Sequence, residues 1–256
     1  MYHILPNFDY APLITVILIS TLCALLGYTL AFKVRYFDEL AKKPIVPPFI
    51  SVPNTFLALL IAFMASAVWQ NSSNAYTTFQ QERMALKKLY LLPAVSPESR
   101  MKKNKYIEDY INIVQKEEWG RLKNMEPVQD AEKTLDSLLS FVFIHHQSES
   151  VQEKELGKDA VKFIEELHAA RDKRLSLGRM ANFGYLNKWI IIYLLVLSTC
   201  FSIAIIHRDK PRTAKVGLMV FVFCSILIIS IVSLYIHPYM GPNALKPDEL
   251  SLFNKR

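Results

Sequence analysis

The side chains best suited to chemistry in this chain are three arginines in the segment RDKRLSLGR, namely Arg171, Arg174 and Arg179. A guanidinium group is planar, permanently charged and able to bind anions through paired hydrogen bonds. A ring of such groups near a pore mouth would concentrate anions electrostatically. We therefore identify the three arginines as candidate anion-attracting residues. The alternatives are contacts with lipid headgroups and salt bridges to Glu82 or Glu117.

A second candidate set follows one face of an apolar segment. Its members recur at alternating spacings of four and three residues, as in a coiled-coil seam. Around a symmetry axis, the apolar members would form a constriction that gates by dewetting, and the amides would replace part of an ion's hydration shell. Alternatively, this face packs against other helices of the same chain. The candidate pore-lining residues are Phe56, Leu60, Phe63, Ala67, Gln70 and Asn74.

No pattern in the sequence predicts an enzyme. The chain contains no Gly-rich phosphate loop, no GxSxG and no HExxH. His145 and His146 are adjacent. Glu165 and His168 have the spacing of metal ligands on a helix, as do His145 and Glu149, but each pair supplies a single histidine in charge-rich surroundings. The acidic pair Glu117–Glu118 and the Arg171–Arg174 segment are predicted to lie on solvated helix faces, with ion pairing between the two as the alternative. We predict no catalytic residues, no cofactor and no metal site.

Four apolar runs must position these candidates. Each lacks Asp, Glu, Lys and Arg, and about 20 helical residues suffice to cross the roughly 30 Å hydrocarbon core of a bilayer. Gly27 and Ala31 are small residues four apart, a spacing that allows close helix approach. We therefore predict four spanning helices, at approximately Ala11–Phe32, Ile50–Trp69, Trp189–Ile206 and Val216–Ile236.

A polar block with helical periodicity separates the second and third runs. Apolar residues recur there at three- and four-residue spacing, which is typical of a helix with one buried stripe. Ser96, followed by Glu98, suits a helix start. No breaker follows Trp69, so the helix of span two is predicted to continue to about Leu92.

The predicted fold class is all-α. It is a polytopic membrane protein with four transmembrane helices and a helical bundle inserted between spans two and three. The predicted regions are spans one and two, an extramembrane bundle, spans three and four, and a C-terminal tail, at residues 1–69, 70–187, 188–237 and 238–256.

The basic residues predict an orientation in the membrane. Lys and Arg in short loops act most strongly on insertion, and they mark the cytoplasmic side. Both short loops are rich in them, whereas the first ten residues hold none. This places the short loops in the cytoplasm, and the central block and termini outside a bacterial inner membrane. We interpret the net charge of +7 as a signal for this orientation and not for binding of nucleic acid. A basic cluster before span three opposes it: Lys173, Arg174, Arg179 and Lys188.

Four segments carry a resemblance to a known family. They are AYTTFQQERMALKKLYLLP after span two, YIEDYINIVQKEEW, RDKRLSLGR before span three, and HPYMGPNALKPDEL after span four. In order and spacing they resemble the bestrophin-like membrane proteins, remote relatives of the bestrophin anion channels. The resemblance covers nearly the whole chain. One departure is Tyr239 followed by Met240, where the family has an aromatic followed by a small residue.

The resemblance implies an oligomeric anion channel, a pentamer in the family's own pattern. Its partners would be the lipid bilayer, further copies of the chain and inorganic ions. The alternative function is a non-transporting membrane scaffold or sensor module, which the absence of charged residues within the spans favours. Bestrophins place the segment between spans two and three in the cytoplasm, so the resemblance conflicts with the loop charges. We follow the loop charges, because they act directly on insertion.

Overall fold

The computed structural model describes residues 11–34, 48–94, 96–121, 127–146, 151–183, 186–239 and 244–251. Regular structure in these residues is helical throughout, which confirms the all-α prediction. In chain order the helices are α1 (Ala11–Lys33), α2 (Pro48–Leu91), α3 (Pro97–Ile113), α4 (Trp119–Arg121), α5 (Gln129–His146), α6 (Val151–Phe183), α7 (Leu186–Ile206) and α8 (Pro211–Leu234). A π-helical segment, Val114–Glu118, joins α3 to α4, and a 3-10 turn forms at Pro247–Leu250.

The chain divides into two compact units. The membrane unit comprises Met1–Gln70 and Gly184–Ile236, and the helical unit comprises Asn71–Phe183 and His237–Arg256. The described residues include four helices that are long and apolar enough to cross a membrane, which confirms the predicted number of spans. The core of the membrane unit draws on all four of them, including Val16, Met64, Val196 and Ile229.

The first and third spans approach each other closely at Gly27. A Cβ atom added there would lie 2.9 Å from Cβ of Cys200 on α7, which is closer than real Cβ atoms approach. Ala31, one turn later, is fully buried. Small residues allow helices to pack this closely in a bilayer, where dispersion contacts replace the hydrophobic effect as the driving force. The predicted role of Gly27 and Ala31 is therefore confirmed.

Helix α2 is a single helix of 44 residues that belongs to both units. It continues far beyond the apolar run and ends at Leu91, so the prediction of an extended second span is confirmed. Pro53 lies inside the helix near its start. The rest of α2 contains neither proline nor glycine, and it therefore has no residue that commonly breaks or kinks a helix.

Lys103 caps the C-terminal end of α2. Its side chain is buried, and its ammonium donates hydrogen bonds to the carbonyl oxygens of Leu92 and, over 3.4 Å, Tyr90. A cation there interacts favourably with the helix dipole. Burial, reinforced by the charge of Arg100, lowers the pKa of Lys103 to about 8.

Helix α3 of the helical unit begins after Ser96, as predicted. The Ser96 hydroxyl oxygen accepts a hydrogen bond of 3.1 Å from the backbone N–H of Ser99, so Ser96 is the N-cap. The predicted apolar stripes form the core: Ala131, Leu135 and Leu138 of α5 are buried with Ile164 and Leu167 of α6.

The π-helical segment after α3 was not predicted from the sequence. A π-helical turn closes its hydrogen bond one residue later than an α-helical turn and so holds more residues. Glu118, four residues after the buried Val114, continues the buried face, and the extra residue of the π-helical turn brings Trp119 inward as well. Both are buried, while Glu117 is exposed.

The C-terminal residues pack within the helical unit. Tyr239 and Leu250 are buried in its core, and the Gln115 side-chain amide donates a 3.0 Å hydrogen bond to the Pro247 carbonyl oxygen. The segment predicted as a separate tail thus contributes to the same core as the central bundle.

Candidate functional site

Four charged side chains lie together in the core of the helical unit. They are Glu82 of α2, Glu118 of the π-helical segment, and Arg171 and Arg174 of α6, and none is more than 2% exposed. We call them the charged cluster. Charged side chains are almost never buried unless they are paired, because transfer out of water costs several kcal/mol per ion.

Arg174 bridges the two carboxylates. Its Nε donates to Oε2 of Glu82 over 2.7 Å, and its Nη2 donates to Oε1 of Glu82 over 3.1 Å. The same Nη2 donates to Oε1 of Glu118 over 2.6 Å. The two-point contact with Glu82 fixes the plane of the guanidinium as well as its position.

Arg171 completes the cluster at the start of α5. Its Nη2 donates to Oε2 of Glu118 over 2.6 Å and to the carbonyl oxygen of Val128 over 3.1 Å. The backbone N–H of Val128 in turn donates to Oε2 of Glu118 over 3.3 Å. Glu118 therefore holds two arginines and the backbone that precedes α5.

Aromatic side chains enclose the charged cluster. The Tyr110 hydroxyl donates to Oε1 of Glu82 over 2.7 Å. The Arg174 guanidinium lies over the ring of Trp119, 5.4 Å from its centroid, which is a cation–π arrangement. Tyr239 packs edge-on against Trp119 with 5.6 Å between ring centroids. The cluster is thereby screened from water on the side of the C-terminal residues.

The charges within the cluster set its protonation. Burial alone would raise the pKa of Glu118, but hydrogen bonds from Arg171 and the charges of Arg174 and Arg171 outweigh burial and lower it. Burial raises the pKa of Tyr110 well above its ordinary value, and the nearby Glu82 adds to this effect. Tyr110 therefore remains a hydrogen-bond donor at physiological pH. The cluster is suited to holding elements together and not to exchanging protons.

The structure separates the three candidate arginines. Arg171 and Arg174 are buried with carboxylate partners, whereas Arg179 is exposed. The salt bridge between Arg174 and Glu82 is the alternative that the sequence left open. The second acidic partner is Glu118 and not Glu117, so the predicted solvated position of Glu118 is wrong, whereas the alternative of ion pairing with Arg171 and Arg174 is confirmed. The physical reason is helical spacing, because Glu118 lies four residues after Val114 and seven after Ile111, on the same buried face.

The candidate pore-lining face of α2 is largely exposed within the protomer. Phe56 is 60% and Phe63 is 71% exposed, while Leu57, Met64 and Val68 on the adjacent face are buried. Of the remaining members, Gln70 is exposed and Leu60, Ala67 and Asn74 are half-buried. The two phenylalanines therefore do not serve the protomer's own core.

Among the residues that the structure describes, no group of three His, Cys, Asp or Glu side chains is placed to hold a metal ion. The side chains of His145 and His146 lie outside the described part. Of the spaced pair in the sequence, Glu165 is exposed and His168 is half-buried.

Sequence reasoning missed Tyr110, Glu118 and Trp119 as members of the site. A signal for them was present, because each of the four family-like segments supplies one part of it. The first holds Glu82, the second holds these three residues, the third holds both buried arginines, and the fourth holds Tyr239. The segments that carry the resemblance thus meet around one guanidinium.

Replacing Arg174 by alanine should strongly destabilise the helical unit. Glu82 and Glu118 would stay buried without their shared cation, and breaking a buried pair in this way costs about 3–5 kcal/mol. We expect a loss of that order in the free energy of unfolding, measured by denaturant titration followed by circular dichroism in detergent. The control is Lys88→Ala, which removes a salt bridge of 2.8 Å to Glu166 whose side chains are 42% and 39% exposed. Such pairs contribute about 1 kcal/mol or less. Equal losses in the two variants would contradict the assignment.

Acid should loosen the C-terminal residues through His237. Burial lowers the pKa of His237 to about 4 from 6.5, and its Nδ1 accepts a 3.3 Å hydrogen bond from the backbone N–H of Tyr239. His237 therefore takes up a proton more readily when the C-terminal residues are released from the core. The stability that neutral His237 contributes is fully present above about pH 6.5, and it is lost as the pH falls toward about 4. Hydrogen exchange of residues 237–239 and 244–251, corrected for intrinsic rates, should show protection decreasing across this window. In His237→Gln the decrease should be much smaller; an unchanged decrease would assign the effect to other groups.

Comparison with known proteins agrees with this architecture. The family model of the bestrophin-like domain matches residues 15–250. The crystal structure of a mutant of a bacterial bestrophin homologue from Klebsiella pneumoniae is similar. The identity is 14%, the match covers 94% of this chain and 93% of the homologue's chain, and the TM-score is 0.59. A second mutant of a Klebsiella pneumoniae bestrophin homologue has 14% identity over 93% of this chain and 94% of that chain, with a TM-score of 0.61. No curated protein matches the chain.

At these identities the likeness to solved structures shows the shared fold alone. The family match extends over nearly all of the chain, including the four spanning helices and the helices that carry the charged cluster. The protein is therefore an integral membrane protein that belongs to the bestrophin-like family.

Proposed function

We propose that the protein is an oligomeric ion channel that conducts inorganic anions, with the Phe56, Leu60 and Phe63 face of α2 around its axis. The observation that carries the proposal is the exposure of Phe56 and Phe63, 60% and 71%, on a face where Leu60 and Ala67 pack only partly against the core. Membership of the bestrophin-like family supports the proposal, since the similar solved structures include a bacterial bestrophin homologue.

The geometry of α2 supports an axial position for this face. At about 100° per residue, Phe56 and Phe63 lie roughly a quarter turn from the buried stripe of Leu57 and Met64. In a cyclic assembly, the Leu57 and Met64 face of each α2 can then pack on its own protomer, while the Phe56 and Phe63 face points to the axis. Apolar rings would gate by dewetting, and the amides of Gln70 and Asn74 would follow them along the path.

In this proposal, Arg179 is the residue that attracts anions. Arg171 and Arg174 are buried with Glu82 and Glu118, so their charges are neutralised locally. Arg179 is the exposed member of the three. An exposed cation near a pore mouth raises the local anion concentration, an effect that weakens as salt increases.

Changing Phe56, Leu60 and Phe63 together to alanine should raise ion leak. A wider constriction lowers the dewetting barrier and leaves the path open. We expect faster chloride efflux from proteoliposomes than with the unchanged protein, and little loss of stability for the two exposed phenylalanines. If the face instead packs in the core, each truncation costs about 2–5 kcal/mol and the protein fails to assemble.

The matched control is a triple alanine variant on α8 at Met219, Val220 and Phe223. These side chains are 70%, 60% and 63% exposed, close to the exposure of Phe56 and Phe63. Chloride efflux should stay at the unchanged level in this variant. Equal leak from both variants would mean that loss of apolar surface, and not an axial constriction, causes it. Equal efflux of potassium and chloride would reject the anion preference.

The alternative function is a membrane scaffold or sensor without transport. It is favoured by the absence of charged residues from the four apolar runs of the spans. A monomer or closed dimer in detergent, together with unchanged flux in the triple variant, would favour this alternative over the channel.

We further propose that the helical unit is extracytoplasmic in a bacterial inner membrane, as the charges of the two short loops indicate. Ser137 is exposed on α5, so Ser137→Cys provides a reporter. Cys224 is the exposed native cysteine and is removed first as Cys224→Ser. A membrane-impermeant maleimide should label Ser137→Cys in intact spheroplasts. Labelling that requires a permeabilised inner membrane would place the unit in the cytoplasm.

A further inference from the structure

An apolar groove of about 190 Å³ lies between α2 and α8 in the membrane unit. Its walls include Ile61, Ala65 and Trp69 from α2, and Ile228, Ile231 and Tyr235 from α8. The neighbouring surface is apolar as well, since Ile228 and Ile231 are about half exposed. The groove therefore continues into a surface that suits the hydrocarbon of a bilayer.

The chemistry of the walls selects the occupant. A buried water needs two to four polar partners, which aliphatic walls do not supply, whereas an apolar cavity of roughly 150 Å³ is large enough for benzene. The groove therefore has room for a short stretch of hydrocarbon chain. Inside a bilayer, acyl chains are the hydrocarbon in excess, and filling the groove recovers dispersion contacts that its walls would otherwise lack.

The direction of the groove also fits lipid. Phe56 and Ala65 are nine residues apart, as are Leu60 and Trp69, which is roughly two and a half turns at about 3.6 residues per turn. The groove is thus on the side of α2 opposite the Phe56–Phe63 face. If that face surrounds an axis, as the proposed function has it, the groove opens toward the surrounding bilayer.

The residues at the Trp69 and Tyr235 end of the groove indicate how a lipid would be recognised. Trp69 and Tyr235 are amphipathic aromatics at the ends of apolar runs, the type and position favoured at the membrane–water boundary. The first Lys or Arg after Trp69 is Arg83, and the first after Tyr235 is Lys246. Anionic lipids are recognised by clusters of such residues next to the membrane. Neither helix of the groove supplies such a cluster at this end, since the basic residues before span three belong to α6 and α7. Recognition by the groove itself would depend on the chain of the lipid.

We propose that this groove binds one acyl chain of a membrane phospholipid and does not require an anionic headgroup. The occupancy rests on the walls of the groove, and only its outward direction rests on the proposed function. A bound chain would fill the space between the helix that carries the candidate constriction and α8.

The test uses Trp69 as a fluorescent reporter, because it lines the groove and is 61% exposed. Trp189 of the third span is removed as Trp189→Phe, and the protein is reconstituted with phospholipid carrying brominated acyl chains, which quench tryptophan on contact. Quenching should saturate at a mole fraction several-fold lower than random contact requires. Phosphatidylcholine and phosphatidylglycerol headgroups should give the same curve.

Ala65→Phe should fill the groove and abolish the saturable component. Ala62→Phe is the matched control, since Ala62 is exposed on α2 outside the groove, and it should retain that component. Ile228→Phe serves as a second filling variant if Ala65→Phe does not fold. Quenching proportional to mole fraction, or absent because a second copy covers Trp69, would overturn the proposal. Saturable quenching without any chloride flux would keep the lipid site and reject the channel.

Discussion

The structure of the helical unit depends on a single buried guanidinium. Arg174 is fully buried, and it joins Glu82 of α2 to Glu118 of the π-helical segment from its own position on α6. Buried ion pairs add little net stability over well-packed apolar residues, because desolvation offsets the attraction. We infer that their effect is on specificity, because the charges meet only when α2 and α6 pack in this register. Any other register leaves a buried charge unpaired.

The same constraint explains the irregular backbone beside it. Glu118 shares the helical face of the buried Ile111 and Val114, but in a regular α-helix Trp119 would lie about 100° further round. The π-helical segment brings Trp119 inward beside Glu118, so one carboxylate receives two arginines and one ring covers a guanidinium. Such bulges occur often at functional sites because they redirect one side chain within an otherwise regular helix. Tyr239 then packs on Trp119, and this contact brings the C-terminal residues into the core.

Much of the fold was predictable because it depends on periodicities. Uncharged runs identified the four spans, apolar residues at three- and four-residue spacing identified the core faces of α5 and α6, and Ser96 identified a helix start. The candidate site was less predictable. Its partners are far apart in sequence, such as Glu82 and Arg174, and a helical pattern does not specify which distant carboxylate an arginine meets. Helical spacing from Ile111 and Val114 selects Glu118 over Glu117, but the inward position of Trp119 depends on a π-helical turn that carries no apolar signature.

The contacts of Glu82 fix the orientation of α2 within the helical unit. Two bonds from Arg174 hold the Glu82 carboxylate from α6, and the Tyr110 hydroxyl donates to the same carboxylate from α3. Rotation of α2 about its own axis at Glu82 would break these three bonds and leave the carboxylate buried without them. Because an unpaired buried charge is costly, the cluster fixes the rotation of this part of α2 as well as its register with α3 and α6.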